Sequence, residues 1–211
     1  AERLKRRYLT QIENDPETFQ ACTDTIVRQV GHIGHMVSEF SAFARMPAPQ
    51  MKEMNFLDLI NQAVFLQRQA NPRISYSFKE SDTPITIRCD ADQMGQVLTN
   101  LLQNAADAIK PKLESSPEFQ GEIQLHLMIE PNRISLKISD NGVGLPKEGR
   151  DKLLEPYVTF REEGTGLGLA IVKKILEDHG GRIVLGDSKL GGAEITLTLG
   201  HVIHSSNRIA S

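Results

Sequence analysis

The chain has 211 residues, of which 39% are hydrophobic and 24% charged, and this length suffices for one substantial core with a helical appendage. The formal net charge of -3 provides no overall positive field for a nucleic acid. The two cysteines, Cys22 and Cys89, lie too far apart for a zinc motif or a disulfide framework, and a reducing cytosol fits. No apolar run approaches the roughly 20 residues of a membrane helix, so membrane attachment is expected only through missing parts of a longer parent. The charged start AERLKRRY resembles neither a signal peptide nor a natural start, which supports that interpretation.

The first predicted elements form a helical hairpin. Residues 2–11 predict a short helix, and a seven-residue apolar repeat predicts a longer helix over about 17–46. Asp15 is placed to cap the longer helix, and the prolines of MPAP end it. The repeat consists of two interleaved series: Phe19, Ile26, Ile33 and Phe40, and Thr23, Val30, Val37 and Ala44. This seam favours packing into a helix bundle, with an ordinary amphipathic helix as the alternative.

After the prolines, the pattern changes to alternating helices and strands. The segments FLDLINQAVFLQRQA and DADQMGQVLTNLLQNAADAI, and residues 166–179, predict helices. Strands are predicted at RISYSF, ITIRC, EIQLHLMIE, RISLKISD, RIVLGD and EITLTL. Because several strands are neighbours in sequence, a mixed sheet with helices on one face is favoured over a doubly wound parallel sheet. The predicted fold class is α+β, an α/β sandwich preceded by the helical hairpin.

The first candidate site residues are two asparagines on a predicted helix. Asn100 and Asn104 stand four residues apart, so their side chains share one helix face. Mg²⁺ prefers hard oxygen ligands and binds few protein groups together with substrate phosphates. The pair is therefore a candidate magnesium site, although asparagine on a helix is more often a solvated or capping residue.

Two glycine-containing stretches supply the other candidates. In SDNGVGLP, Asp140 ends a strand, and an ionised carboxylate only accepts hydrogen bonds, which suits an exocyclic amino group such as that of adenine. Gly142 and Gly144 would let a flat ring approach the backbone closely. In EEGTGLGLAIV, glycines lead into an amphipathic helix whose first amides form an anion site; these glycines are Gly164, Gly166 and Gly168. They follow a long charged loop rather than a strand, so the dinucleotide-binding fingerprint is not matched.

The order and spacing of these motifs resemble the N, G1 and G2 boxes of sensor histidine kinases. That family shares the ATP-binding Bergerat fold with gyrase, Hsp90 and MutL. The stretches MVSEFSAFARMPAP and EPYVTFREEGTGLGLAIV are similar to the nitrogen-regulation sensor kinases, and among these to the membrane-bound NtrY-like branch. The resemblance implies a partial dimerisation and histidine-phosphotransfer hairpin over 1–48, a catalytic ATP-binding domain over 49–200 and a tail over 201–211.

The resemblance also implies a role for each motif residue. Asn104 would coordinate Mg²⁺, Asn100 would support the metal and phosphates from one turn earlier, and Asp140 would bind the adenine amino group of ATP. The other implied nucleotide-binding residues are Gly142, Gly144, Gly164, Thr165, Gly166, Leu167 and Gly168.

A lid over residues 146–163 is also implied, and lids of this kind order on nucleotide. Arg161 would reach the γ-phosphate from this lid, with a solvated lid charge as the alternative. Tyr157 and Phe160 fall where the family places aromatic lid anchors, with a core position as the alternative.

For the intact parent, the resemblance implies transfer of the γ-phosphoryl group of Mg-ATP to a histidine and then to an aspartate of a response regulator, here an NtrX-like receiver domain. The hairpin would pair with a second copy into a homodimeric four-helix bundle. The chain would be a cytoplasmic domain of an inner-membrane sensor acting in nitrogen regulation. The alternatives are a non-catalytic nucleotide-binding or dimerisation module and an ATPase of the same superfamily, although the ATPase would need a glutamate base at the position of Asn100.

The sequence departs from the family pattern at three places. Asp107 stands where other branches often carry a phosphate-contacting lysine, and Ala193 follows Gly192 where a threonine is usual. The His-Glu-x-x-x-Pro phosphoacceptor box is absent, so this chain is not expected to label itself. The six histidines are interpreted as structural or solvated, with His32 or His35 as the alternative acceptor.

Overall fold

The structure is a computed structural model that describes residues 2–11, 15–78, 84–159, 164–200 and 202–203. Its helices are α1 (Glu2–Tyr8), α2 (Pro16–Ala44), α3 (Phe56–Ala70), α4 (Ala91–Ser115) and α5 (Gly168–Asp178), with 3₁₀ turns at Leu9–Gln11 and Arg150–Leu154. Its strands are β1 (Lys52–Asn55), β2 (Ile74–Phe78), β3 (Thr86–Cys89), β4 (Gly121–Glu130), β5 (Arg133–Asp140), β6 (Arg182–Asp187), β7 (Ala193–Gly200) and β8 (Val202–Ile203). In the described residues, no helix is long and apolar enough to cross a membrane.

Helices α1 and α2 lie against each other as the hairpin that the sequence predicts. Lys5 Nζ lies 2.5 Å from the Asp24 carboxylate and joins the two helices. Asp15 Oδ1 accepts a hydrogen bond of 3.1 Å from Thr18 N at the start of α2, as a capping residue does. The middle of the apolar seam of α2, from Ile26 to Phe40, is exposed in this single chain, with Ile26 at 52% and Val30 at 62% exposure, whereas Thr23 is buried. An uncovered apolar stripe of this length is typical of a surface that a further helix covers.

The α/β part contains a mixed five-stranded sheet in the order β2-β4-β5-β7-β6. Strands β2 and β4 pair in parallel, whereas β4, β5, β7 and β6 pair antiparallel. This sheet confirms the predicted α+β class. A second, three-stranded sheet in the order β1-β3-β8 was not predicted, because KEMN and the residues after Gly200 are too short to show a strand pattern and become strands only by pairing with β3.

The core lies between the sheet and helices α3, α4 and α5. Alternate residues of β5, Ile134, Leu136 and Ile138, are at most 2% exposed, as expected for a sheet with one face against helices. The intervening residues carry polar groups: Ser135 Oγ lies 3.2 Å from Thr198 Oγ1, and the Lys137 ammonium lies 3.2 Å from Glu194. One apolar sheet face thus fixes α4 above β4 and β5, and α5 beside β6.

Helix α4 begins at a strong cap and runs farther than the sequence predicts. Asp90 Oδ1 accepts hydrogen bonds of 3.1 Å from Asp92 N and Gln93 N, which satisfies donors of the first turn. The helix continues to Ser115 although Pro111 lies inside it. The prediction had ended the helix before that proline, at Ile109. This helix carries both candidate asparagines and forms one wall of the candidate site.

Candidate functional site

A cavity of about 340 Å³ lies between α4, the loop after β5, the loop before α5 and the start of β7. It brings together residues that are far apart in sequence. The predicted site residues that line it are Asn100, Asn104, Asp140, Gly144, Gly164, Thr165, Gly166 and Gly168. The structure therefore places the three sequence motifs around one space, while the role of each residue remains a prediction.

Asp140 is held rigidly at the base of this cavity. Its residue is only 4% exposed, and Oδ1 accepts hydrogen bonds of 2.8 Å from Gly142 N and 3.2 Å from Ala193 N. These two backbone N–H donors fix the orientation of the carboxylate oxygen that accepts from them. The sequence did not predict the hydrogen bond from Ala193. This bond does not require the threonine hydroxyl that is usual in the family, because the backbone N–H is the donor.

Gly192, noted in the sequence only because Ala193 follows it in place of a threonine, lies directly against Asp140. A Cβ atom added at Gly192 would overlap the Asp140 carboxylate and lie 2.5 Å from the Asp140 carbonyl oxygen. Only a residue without a side chain fits between the two segments. Strands β5 and β7 approach so closely at this point that position 192 requires glycine.

The loop after Asp140 is fastened to α4 and β4. A Cβ atom at Gly142 would lie 2.5 Å from the Ala108 carbonyl, and Val143 N donates a hydrogen bond of 2.9 Å to that same oxygen. Asn141 Oδ1 accepts from Glu122 N at 2.9 Å. The Lys112 ammonium donates to the Asn141 carbonyl at 2.8 Å. These bonds fix the direction in which Asp140 faces the cavity.

The two asparagines of α4 face the glycine-containing loop at the start of α5. Asn100 Nδ2 donates a long hydrogen bond of 3.5 Å to the Gly168 carbonyl. A Cβ atom at Gly168 would lie 3.9 Å from Asn104 Nδ2. This distance is an ordinary van der Waals contact, so Asn104 lies directly beside the first turn of α5, whose backbone N–H groups attract an anion.

The loop before α5 has a tightly specified backbone. Gly166 adopts φ of 71°, and a Cβ atom there would lie 2.6 Å from the Tyr157 carbonyl carbon. Tyr157 N donates to the Gly166 carbonyl at 3.1 Å, and Thr165 Oγ1 accepts from Leu167 N at 3.3 Å. Leu167 is fully buried, so its side chain anchors the loop in the core. Only its backbone is available to the predicted site.

The predicted lid is anchored at its first half. Arg150 forms a bidentate pair with Asp187, with hydrogen bonds of 2.6 and 3.2 Å. Tyr157 has φ of 67°, and its ring centroid lies 6.3 Å from that of Phe40 on α2. The predicted phosphate-binding Arg161 and the aromatic Phe160 lie outside the described residues.

Asp107 and Gln103 also line the cavity, although the sequence had marked Asp107 only as a departure from the family. Gln103 Nε2 donates to Asp107 Oδ1 at 2.9 Å, and Lys110 Nζ donates to the same oxygen at 2.6 Å. A cation, Lys110, therefore lies beside Asp107, one turn farther along α4. The spacing of three residues between Asp107 and Lys110 was a readable signal for this pair.

The described histidines lie away from the cavity. His179 is 7% exposed, and its Nε2 accepts a hydrogen bond of 3.0 Å from Asp90 N. Its Nδ1 lies 2.8 Å from the Ile175 carbonyl, so the neutral tautomer with the proton on Nδ1 satisfies both contacts. This structural use agrees with the interpretation from sequence. His126 lies on the exposed side of β4, and His201 and His204 lie outside the described residues.

A larger open cleft of about 680 Å³ lies where residues 46–50 meet the start of α4. Its lining includes Arg45, Lys52 and Asp92, which are exposed side chains. It lacks the glycine loops of the smaller cavity, and the anchored carboxylate in its lining, Asp90, is the cap of α4. The smaller cavity is therefore the candidate site.

The family model for histidine kinase-, DNA gyrase B-, and HSP90-like ATPases matches residues 89–202. The chain is 48% identical over 206 residues to the nitrogen regulation protein NtrY of Azorhizobium caulinodans, covering 94% of this chain and 26% of that protein. It is 36% identical to a putative NtrY-like sensor histidine kinase of Rickettsia bellii, covering 93% of this chain and 31% of that protein. The chain thus spans about a quarter to a third of the length of these relatives.

The fold is also similar to that of solved catalytic domains. The catalytic domain of histidine kinase ThkA superposes with a TM-score of 0.63 at 26% identity, and the match covers 72% of this chain and 98% of that domain.

Proposed function

Since the chain belongs to the family of histidine kinase-, DNA gyrase B- and HSP90-like ATPases, we propose that it is the ATP-binding catalytic portion of a two-component sensor histidine kinase acting in nitrogen regulation. The observation that carries this proposal is the anchored Asp140 carboxylate in a cavity that the asparagine face of α4 and the glycine start of α5 also line. The assignment to nitrogen regulation follows the likeness to NtrY.

The nucleotide would lie with its adenine at Asp140 and its phosphates at the start of α5. The Asp140 carboxylate is oriented by two backbone donors, so it can accept a hydrogen bond from the adenine amino group. Gly144, with φ of 78°, lines the cavity without a side chain and admits the flat ring. At the other end, residues 164–168 would surround the phosphates with backbone N–H groups.

The donor set fits Mg²⁺ as a shared ligand of protein and nucleotide. In the described part of the chain, no group of three or more histidine, cysteine, aspartate or glutamate side chains could hold a metal ion. Mg²⁺ keeps several waters and often binds through one or two protein groups plus phosphates, so the Asn104 amide oxygen would serve, with Asn100 one turn away. When bound, the metal neutralises phosphate charge. The chain's own residues position the reacting group and exclude water.

The phosphoryl group would pass to a histidine outside this chain and then to an aspartate of a response regulator. ThkA has been solved in complex with the response regulator TrrA, and an NtrX-like receiver domain is the proposed partner here. Arg161 is the proposed cation for the γ-phosphate. The apolar seam of α2, with Ile33 at 59% and Val37 at 58% exposure, would be covered in a homodimer by the second hairpin.

The proposed domain organisation of the chain is a partial dimerisation hairpin over 1–48, a catalytic ATP-binding domain over 49–200 and a tail over 201–211. In the intact parent, the catalytic portion would act on the cytoplasmic side of an inner membrane, as in the branch that the chain resembles.

Calorimetric titration with ATP and Mg²⁺ tests the proposal. We expect the wild-type chain to bind, and Asp140→Asn to weaken binding by about tenfold to a hundredfold, because a hydrogen bond to a charged group contributes about 1.5–3 kcal/mol. Asn104→Ala should lose mainly the dependence on Mg²⁺. Asp178→Asn is the matched control, since that carboxylate pairs only with Lys174 on the surface in the described contacts.

A wild-type chain that binds no adenine nucleotide would refute the site. Phosphotransfer is measured separately, by adding a histidine-containing hairpin and following radiolabel from ATP. Nucleotide binding without any transfer to such a hairpin would instead favour a non-catalytic nucleotide-binding module.

A further inference from the structure

We propose that Asp107 binds the ribose of the nucleotide and selects ribonucleotides over deoxyribonucleotides, an inference that rests on the function proposed above. Asp107 lines the cavity and its side chain is 33% exposed, so a ligand in the cavity can reach it. A residue that binds a phosphate at this position would need a positive charge. Asp107 carries a carboxylate instead, so we assign it a different role.

Successive residues of helix α4 lie beside successive parts of the proposed nucleotide. Asn104 lies beside Gly168 at the proposed phosphate end, and Ala108 contacts Gly142 and Val143 next to Asp140 at the proposed adenine end. Four residues of helix separate these two points by about 6 Å. The ribose joins adenine to the phosphates, so it must lie within that interval. Asp107 is the acidic residue of α4 that falls in it.

A polar chain fixes the direction of the Asp107 carboxylate. Asn71 Nδ2 donates to Gln67 Oε1 at 3.0 Å, Gln67 Nε2 donates to Gln103 Oε1 at 3.2 Å, and Gln103 Nε2 donates to Asp107 Oδ1 at 2.9 Å. Because a carboxylate only accepts, it sets the orientation of every amide in the chain. Gln67 is only 5% exposed, so this arrangement is built into the packing of α3 against α4.

The chemistry of the ribose matches this group better than the chemistry of a phosphate. Ribose hydroxyls donate hydrogen bonds, and a carboxylate accepts them, as acidic residues do for the ribose 2′-hydroxyl in dinucleotide-binding folds. Lys110, 2.6 Å from Asp107 Oδ1, offsets the charge and limits repulsion of the nearby phosphates. The carboxylate of Asp107 has capacity for several acceptor contacts, since an ionised carboxyl group offers about four lone-pair sites.

The test compares the affinities of ATP, 2′-deoxyATP and 3′-deoxyATP by calorimetry in the presence of Mg²⁺. In the wild type, at least one deoxynucleotide should bind about tenfold or more weakly than ATP, the loss expected for a hydrogen bond to a charged group. Asp107→Ala should bring this ratio close to unity, and Asp107→Asn should give an intermediate ratio, because the amide oxygen still accepts. Glu114→Gln, an acid-to-amide change on the exposed side of the same helix, should keep the wild-type ratio.

The ratio of two affinities in one sample does not depend on the folded fraction, so a destabilised variant remains informative. Equal affinities for ATP and both deoxynucleotides in the wild type, or an unchanged ratio in Asp107→Ala, would overturn ribose binding while leaving the proposed function intact. Absence of binding by all three nucleotides would overturn the proposed function and this inference with it.

Discussion

Replacing Gly192 by alanine tests how the Asp140 carboxylate is held in place. The added methyl group would overlap that carboxylate and lie 2.6 Å from Gly142 N, the donor that orients it. Gly192 has no positive φ, so the effect comes from volume alone and not from backbone strain. Either the carboxylate or the backbone of β7 must move.

The magnitude follows from the two contacts at stake. Overpacking a filled site costs about 1–3 kcal/mol. Displacing the carboxylate also weakens its hydrogen bonds to Gly142 N and Ala193 N, of 2.8 and 3.2 Å, and each hydrogen bond to a charged group contributes about 1.5–3 kcal/mol. We expect a loss of about 2–4 kcal/mol in the free energy of unfolding. The affinity for ATP should fall about tenfold or more, because the adenine acceptor is misplaced.

Urea denaturation gives the first quantity and calorimetric titration gives the second. Gly186→Ala is the matched control, because it lies in β6 of the same hairpin and its added Cβ would make only an ordinary contact of 3.6 Å with the Glu194 carbonyl. If Gly192→Ala and Gly186→Ala behaved alike in both assays, the close approach of β7 to Asp140 would be unimportant and the reasoning would be wrong.

Three further changes test other parts of the fold. Gly95→Ala should raise the free energy of unfolding by about 1 kcal/mol, because Gly95 lies inside α4 with open space at its Cβ position; a decrease in urea denaturation would contradict this. Burial of Asp90 alone would raise its pKa, but hydrogen bonds from three backbone N–H groups, Gln50 among them, hold it below the ordinary 3.8. The cap therefore stabilises the fold at pH values above that ordinary pKa, and this stabilisation is lost as the pH falls through the lowered pKa. Asp90→Asn should flatten the loss of stability as the pH falls below the ordinary 3.8, and an acid-induced loss of stability equal to that of the wild type would argue against it. Burial raises the pKa of Cys89 to about 11, and Cys22 is exposed, so iodoacetamide at neutral pH should label only Cys22 until denaturant is added, which intact-mass spectrometry detects.

The sequence predicted the parts of the fold that carry a repeating pattern. The alternation of apolar and polar residues predicted β4 and β5, and the helical period predicted α5 to within two residues at its start. Strand β1 was not predicted, because Lys52–Asn55 has no alternation of apolar and polar residues and is defined only by its pairing with β3. Local patterns reveal an element only when the element has its own periodic contact with the core.

The candidate site divides in the same way. Asn100, Asn104 and the glycines could be identified because their spacing carries the signal. The contacts that hold Asp140 could not, since Ala193 lies 53 residues away and Lys112 reaches Asn141 across 29 residues. The Ala193 contact uses a backbone N–H group, which almost any residue type supplies, so composition at that position says little.

The proline in α4 shows why a correct local rule gave the wrong helix end. Pro111 has no N–H for the carbonyl of Asp107, and its ring crowds that carbonyl, which argues for a helix end near this point. In the folded chain, the same turn is where the loop after β5 docks: Val143 N donates to the Ala108 carbonyl at 2.9 Å, and Lys112 bonds the Asn141 carbonyl at 2.8 Å. These contacts from a distant loop hold the helix together past its weak point. The turn that is locally least favourable for a helix is thus the turn that positions Asp140, and a substitution of the loop should shorten α4 as well as weaken nucleotide binding.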